Sequence, residues 1–222
     1  MNALLLVGSP KGKKSASYML GSKLADGLRD HGVTVKEAVV HEELRSGEKT
    51  GRLLDLADSS DLVVLAFPLY VDSLPAPLTR FLELAAGRGD RIAHAGKPRL
   101  AVIVQCGFPE AHQCDTAVGI CRRFAESTGM GWAGALAMGM GGSLGEDFKK
   151  LPGGGRKILD ALHMTAKSLA GGGDVPDEAK SLFARPLMRV WLYIMAGNLG
   201  WRLQMRKNRA KRPIGYRPYA QG

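Results

Sequence analysis

Two loop segments constrain most strongly how this chain can fold, because each stands between a short apolar run and a helical pattern. Residues 8–17 follow the apolar run 3–7, and residues 67–76 follow the apolar run 62–66. Continuous apolar runs of this length are typical of strands buried on both faces of a parallel sheet. Loops at the carboxyl ends of neighbouring parallel strands form a binding crevice. The two loops together therefore predict a site.

The alternation of strand and helix patterns predicts the fold class. The two patterns alternate five times with short links, which favours βαβ units. We expect an α/β fold with a five-stranded parallel sheet in three layers, α/β/α. Residues 42–59 are interpreted as one helix, and a glycine-rich run at 139–145 follows the fifth strand. The first and third strands are expected side by side, which brings their loops together at the switch point of the sheet.

The net charge of +10 is concentrated at one end of the chain. Residues 185–222 contain nine Lys/Arg and no Asp/Glu, so the other 184 residues hold 22 basic and 21 acidic groups, a net of +1. We therefore predict a domain at residues 1–172 and a basic, partly helical C-terminal extension at residues 173–222. A nearly neutral domain argues against a basic groove, which makes nucleic acid an unlikely partner of the domain.

The extension itself has three interpretations. Residues 186–201 are apolar but shorter than the roughly 20 residues that a membrane-spanning helix needs. Arg202, Arg206 and Arg209 follow at helical spacing and give a basic face. The extension could pack on the body or on a second subunit, or make peripheral contact with an anionic membrane surface. Contact with nucleic acid is the least favoured interpretation.

The cysteines and histidines predict no metal site. Cys106, Cys114 and Cys121 form neither a disulfide framework nor a paired C-x-x-C motif, and the five histidines are scattered. The first apolar run is five residues long and ends in Gly-Ser-Pro, so no signal peptide is expected. A reducing cytoplasm is the location that fits this cysteine usage.

Residues 8–17 are suited to binding an anion. Backbone N–H groups at a helix amino terminus point outward, and the helix dipole favours negative charge there. The hydroxyl and ammonium groups of the loop belong to Ser9, Ser15, Ser17, Lys11, Lys13 and Lys14. The loop matches neither the nucleoside-triphosphate motif nor the dinucleotide motif G-x-G-x-x-G. Taken alone, it could be a glycine turn with a serine helix cap; the second loop favours a phosphate site.

The two loops resemble those of the flavodoxin-like NADPH-dependent FMN reductase family. The family's phosphate loop stands here as Gly8-Ser9-Pro10-Lys11 with Ser15-Ala16-Ser17, where Lys11 replaces the usual arginine. The family's second loop, Pro-x-Tyr-x-x-Ser-x-Pro-Ala, is matched by Pro68, Tyr70, Ser73, Pro75 and Ala76. The resemblance covers about residues 1–170 and implies a flavodoxin-like sheet.

The resemblance also implies where FMN would bind. Its phosphate would be surrounded by Ser9, Lys11, Lys13, Ser15, Ala16 and Ser17. Its isoalloxazine ring would be lined by Pro68, Leu69, Tyr70, Val71 and Asp72. A third flavin loop would contribute Cys106, Gly107, Phe108 and Glu110. Phe108 either stacks on a bound ring or closes this loop, and Cys106 either borders the flavin or is packed in the core.

The function implied by the resemblance is an FMN-dependent NAD(P)H oxidoreductase. A hydride would pass from NADPH or NADH to the flavin and on to a quinone-like or other small-molecule acceptor, with no acid–base catalytic residue required. A homodimer or higher homo-oligomer is expected. The alternative is a flavodoxin-type electron carrier that serves a protein partner, which the near-neutral domain disfavours. One branch of the family carries a cysteine cluster for iron and sulfur between strands two and three, but residues 39–61 contain no cysteine.

Overall fold

A computed structural model describes residues 1–88, 98–144, 154–208 and 216 of the chain. Its five strands form one parallel sheet in the order β2-β1-β3-β4-β5. The strands are β1 (Asn2–Val7), β2 (Thr34–Val39), β3 (Leu62–Pro68), β4 (Arg99–Gln105) and β5 (Gly131–Met138). This order and direction confirm the five-stranded parallel α/β sheet that the alternating patterns predicted and the flavodoxin-like fold that the family resemblance implied.

Helices cover both faces of the sheet and form two separate cores. The helices are α1 (Ala16–Asp30), α2 (Val40–Glu43), α3 (Gly47–Asp58), α4 (Ala76–Ala86), α5 (Asp115–Ser127), α6 (Gly154–Ala170), α7 (Asp177–Phe183) and α8 (Val190–Lys207). One core joins α1, α6 and α7 to one face, and the other joins α3, α4 and α5 to the opposite face. Alternate strand residues such as Leu4 and Leu5 point into different cores, since side chains alternate across a strand.

The single helix predicted for residues 42–59 is wrong. Two helices, α2 and α3, occupy this segment, and α3 begins at Gly47. The hydroxyl of Ser46 accepts a hydrogen bond from the backbone N–H of Lys49, at 3.3 Å. Ser46 has an extended backbone, as an N-cap residue usually does, so the helical conformation cannot continue through it. The segment is therefore divided into two helices.

The chain divides into two compact units, residues 1–187 and residues 188–222. The predicted boundary at residue 172 lies between α6 and α7. Helix α7 belongs to the first unit: Ala179 and Phe183 are buried in its core, and the N–H of Val175 donates to the carbonyl of Ala133 at 2.8 Å. Helix α8 belongs to the second unit. The predicted basic position Arg209 and the end of the glycine run at residue 145 lie outside the described residues.

Strand register brings the carboxyl ends of three adjacent strands to one edge. Val7 of β1 is level with Ala66 of β3, and Pro68 of β3 is level with Gln105 of β4. The loops that follow β1, β3 and β4 therefore start next to one another, and these are the three loops that sequence analysis selected.

Candidate functional site

The loop after β1 is a tight turn that places the amino terminus of α1 at the carboxyl ends of the strands. The N–H of Gly8 donates to the carbonyl of Ala66 at 2.9 Å, which ties the loop to β3. Gly12 has a φ of +54°, a left-handed conformation that glycine adopts without steric cost. Ser15 caps α1, because its Oγ accepts the N–H of Tyr18 at 3.1 Å while its hydroxyl donates to the Gly12 carbonyl at 2.6 Å.

Ser17 is the most informative residue of this loop. Its side chain is buried, with 1% of the residue exposed, and its Oγ has no hydrogen-bond partner among the residues that the structure describes. A buried hydroxyl without a partner costs about 1–3 kcal/mol, so such groups are rare unless a ligand pairs with them. The hydroxyl lies in the first turn of α1, where backbone N–H groups also lack intrahelical acceptors. Lys11, Lys13 and Lys14, earlier in the same loop, are exposed.

The loop after β3 holds apolar side chains in solvent. Tyr70 and Ser73 exchange two backbone hydrogen bonds, each of 2.9 Å, across a tight turn. The turn residues Val71 and Asp72 have φ values of +47° and +56°. This conformation is strained for a β-branched residue such as valine, and strained backbone concentrates at binding sites. Val71 is 97% exposed and Tyr70 is 45% exposed, so the turn presents an apolar surface to solvent.

The loop after β4 is fixed by the segment that follows β5. The N–H of Gly141 donates to the carbonyl of Cys106 at 2.7 Å, and the N–H of Met140 donates to the carbonyl of Phe108 at 2.6 Å. A Cβ atom on Gly139 would lie 2.2 Å from the carbonyl oxygen of Pro109, so only glycine allows the two backbones to approach this closely. Phe108 is half exposed at the outer end of this loop.

The structure therefore brings all fifteen predicted site residues to one edge of the sheet. The second and third loops are directly bonded, since the N–H of Leu69 donates to the carbonyl of Gln105 at 2.8 Å. The part each residue plays in binding a ligand stays a prediction.

Sequence reasoning missed two groups of residues at this edge. Gly139 and Gly141 fix the third loop, although the glycine-rich run after β5 was a visible signal. His41 and Glu42 lie beside the phosphate loop: a Cβ on Gly12 would be 3.6 Å from Cε1 of His41 and 3.4 Å from Oε1 of Glu42. Their position after β2, the neighbour of β1 in the sheet, was the signal that could have identified them.

Two buried thiols lie behind the third loop. The thiol of Cys106 donates to the carbonyl of Glu110 at 3.6 Å, and the thiol of Cys114 donates to the carbonyl of Met138 at 3.9 Å. The interaction between the two neighbouring thiols lowers the pKa of Cys106 and raises the pKa of Cys114. Burial alone raises the pKa of Cys121 to about 12. The pair therefore loses its first proton at Cys106, while Cys114 stays protonated.

Replacing Cys114 with alanine is expected to raise the pKa of Cys106, because the thiolate loses the neighbouring thiol that lowers this pKa while remaining buried. Ultraviolet absorbance of the thiolate, followed against pH, measures this: the first midpoint moves to higher pH. Because the folded pKa lies below the ordinary value, the stability contributed by this thiolate is lost as pH falls through the folded pKa. Cys121→Ala serves as the control and leaves the midpoint unchanged. An unchanged midpoint in Cys114→Ala would contradict the assignment.

Comparison with known proteins gives matches over most of the first unit. The model of the family described as flavodoxin-like fold matches residues 1–147. An iron-sulfur flavoprotein of Archaeoglobus fulgidus is 28% identical over 182 residues, which cover 73% of this chain and 80% of the relative.

Solved structures agree in fold. An NADH:FMN oxidoreductase in its apo form is similar with a TM-score of 0.59 at 15% identity, over 86% of this chain and 98% of that chain. The NAD(P)H:quinone oxidoreductase from Methanothermobacter marburgensis is similar with a TM-score of 0.57 at 16% identity, over 76% of this chain and 96% of that chain. At these identities the likeness is one of fold.

Proposed function

The chain belongs to the flavodoxin-like fold family, and on that premise we propose that it is an FMN-dependent NAD(P)H oxidoreductase. In this proposal NADPH or NADH gives a hydride to the bound flavin, and a quinone-like or other small aromatic acceptor takes the electrons. The names of the similar structures, an NADH:FMN oxidoreductase and an NAD(P)H:quinone oxidoreductase, support this choice. The iron–sulfur cluster named in the A. fulgidus relative is not part of the proposal, because all three cysteines lie at residue 106 or beyond.

The buried hydroxyl of Ser17 is the observation that carries the proposal. A monophosphate needs donors that converge from one side, and the loop offers one unpartnered hydroxyl and the amino terminus of α1. Exposed Lys11, Lys13 and Lys14 supply the charge that a dianion requires. The residues present therefore fit the phosphate of FMN.

The other two loops fit the ring. Tyr70 and Val71 expose apolar surface on one loop, and Phe108 exposes it on the other. FMN, when bound, supplies the hydride-accepting centre. The chain's own task is then to hold the phosphate, to position the ring through rigid loops, and to leave one face open for the nicotinamide and the acceptor in turn. None of these three tasks needs a titrating side chain.

The proposal extends to assembly and location. We expect a homodimer or a higher homo-oligomer, as the family resemblance implies, and a reducing cytoplasm, which suits the three free and buried thiols.

An anaerobic titration tests the proposal. Purified protein reconstituted with FMN is mixed with NADPH or NADH, and flavin absorbance is followed; rapid bleaching, reversed by adding a quinone, is the expected result. Protein that binds FMN but is reduced only by dithionite or a protein partner would instead be an electron carrier. Protein that takes up no FMN from excess cofactor would overturn the site as well.

Removing the three lysine charges is expected to weaken FMN binding about tenfold, because exposed ion pairs contribute up to about 1 kcal/mol each. The variant is Lys11→Gln, Lys13→Gln and Lys14→Gln, and quenching of flavin fluorescence measures the dissociation constant. Riboflavin, which lacks the phosphate, is the matched control ligand, and its affinity should stay the same. If the variant bound FMN and riboflavin more weakly by the same factor, the lysines would not act on the phosphate.

A further inference from the structure

Helix α8 exposes its large apolar side chains. None of its residues is buried, and seven large apolar side chains between positions 190 and 203 expose 37% to 66% of their surface. At about 100° per residue, these positions cover more than half of the helix circumference. A helix that packs on a protein surface needs an apolar stripe of about 100°. One protein face would therefore leave much of this apolar surface uncovered.

Charge in this part of the chain is separated along the helix axis. Residues 190–201 contain no charged residue, whereas residues 202–217 contain seven Lys/Arg and no Asp/Glu. Arg202, Arg206 and Lys207 form the basic end of α8. Trp201, 66% exposed, stands at the junction of the two parts. Tryptophan is enriched where hydrocarbon meets lipid headgroups, and basic residues favour anionic headgroups.

We propose that α8 lies in the interface of an anionic membrane, with its apolar side chains in one leaflet and with Arg202, Arg206 and Lys207 on the lipid phosphates. The helix would lie along the membrane surface, because Arg189 directly precedes its first residue and would otherwise stand in the hydrocarbon. No helix within the described ranges has the length and apolar character to cross a bilayer.

Two other occupants fit less well. Residues 1–184 carry 22 basic and 21 acidic groups, so a second copy offers no net opposite charge to the basic segment. A nucleic acid would match the charge of residues 202–217 but not the apolar half. A lipid leaflet matches both parts, because its acyl chains accept the apolar side chains and its phosphates accept the basic residues.

The full chain is tested for binding to vesicles of phosphatidylcholine, with and without phosphatidylserine, at low and high salt. The tryptophans are Trp132, Trp191 and Trp201, so the background variant Trp132→Phe leaves both reporters in α8. We expect co-sedimentation with the anionic vesicles, a blue shift of the emission, and weakening by salt. Flavin is not needed for this readout, so its result is independent of the proposed reductase activity.

Charge variants separate lipid binding by the tail from a general effect of net charge. Arg202→Gln, Arg206→Gln and Lys207→Gln together should weaken binding to anionic vesicles about 100-fold, since each basic residue near the surface contributes about a factor of five. The control removes the same charge from exposed positions of the first unit, Arg52→Gln, Arg80→Gln and Arg123→Gln, and should leave binding unchanged.

Three results would overturn the proposal. The first is no binding to anionic vesicles at low salt. The second is binding without a blue shift, or binding lost equally in the control triple variant, because either means adsorption by charge alone. The third is emission that is already blue-shifted without lipid and shifts to the red when an oligomer is diluted into monomers, because a second copy would then cover α8.

Discussion

Replacing Ser17 with aspartate is expected to abolish FMN binding while leaving the protein folded. The new carboxylate would occupy the buried position of the unpartnered Ser17 hydroxyl, where the phosphate dianion is proposed to bind. Like charges about 4 Å apart repel by about 4 kcal/mol at the effective dielectric near a protein surface, or about 1000-fold in the dissociation constant. Flavin titration measures the loss.

The stability of the apoprotein distinguishes this effect from misfolding. A negative charge in the first turn of a helix interacts favourably with the helix dipole, by about 0.3–1 kcal/mol, which offsets part of the cost of burying it. We therefore expect the apoprotein to stay folded, with an unfolding temperature lowered by the part of that cost that the dipole does not offset. Ser17→Ala removes the hydroxyl without adding charge and should weaken FMN about tenfold. Ser22→Asp, further along α1, is the positional control; tight FMN binding by Ser17→Asp would refute the phosphate site.

The sheet and its binding edge were predictable because their signals are local. The apolar runs around Leu5 and Val64 are continuous, as burial on both faces requires, and each is followed at once by a loop and a helix. The strand order then places the loops together. Ser15 could also be predicted as a cap, since a serine before an apolar helical stripe is a local signal.

The parts that sequence reasoning missed depend on contacts between distant segments. The role of Gly139 follows from the backbone of Pro109, about 30 residues earlier in the chain, and no local pattern encodes that approach. His41 lies beside Gly12 only because β2 pairs with β1. Residues 172–184 are attached to the rest of the first unit by contacts between distant segments as well. Arg99 of β4 binds the carbonyl of Gly172 and the carboxylate of Asp174.

Replacing Gly139 with alanine is expected to displace the third loop, with a large loss of both stability and flavin affinity. The new Cβ would lie 2.2 Å from the Pro109 oxygen and 2.6 Å from the Phe108 oxygen, and both atoms are backbone. Relief requires the two segments to separate, which breaks the 2.6 Å bond from the Met140 N–H to the Phe108 carbonyl. We expect a loss of about 3 kcal/mol, which lowers the unfolding temperature by about 10 °C.

Gly119→Ala is the matched control for Gly139→Ala, because it adds the same methyl group where nothing lies within 4 Å, on the exposed face of α5. Alanine is favoured over glycine inside a helix by about 0.5–1 kcal/mol, so this variant should be slightly more stable than the parent and bind FMN equally well. If Gly139→Ala lowers the stability and Gly119→Ala raises it, the added methyl group itself is not the cause of the loss. The cause is then the contact of the new Cβ with the backbone of residues 108 and 109. If Gly139→Ala instead kept its stability and bound FMN normally, the segment after β5 would not be what holds the third loop against the flavin.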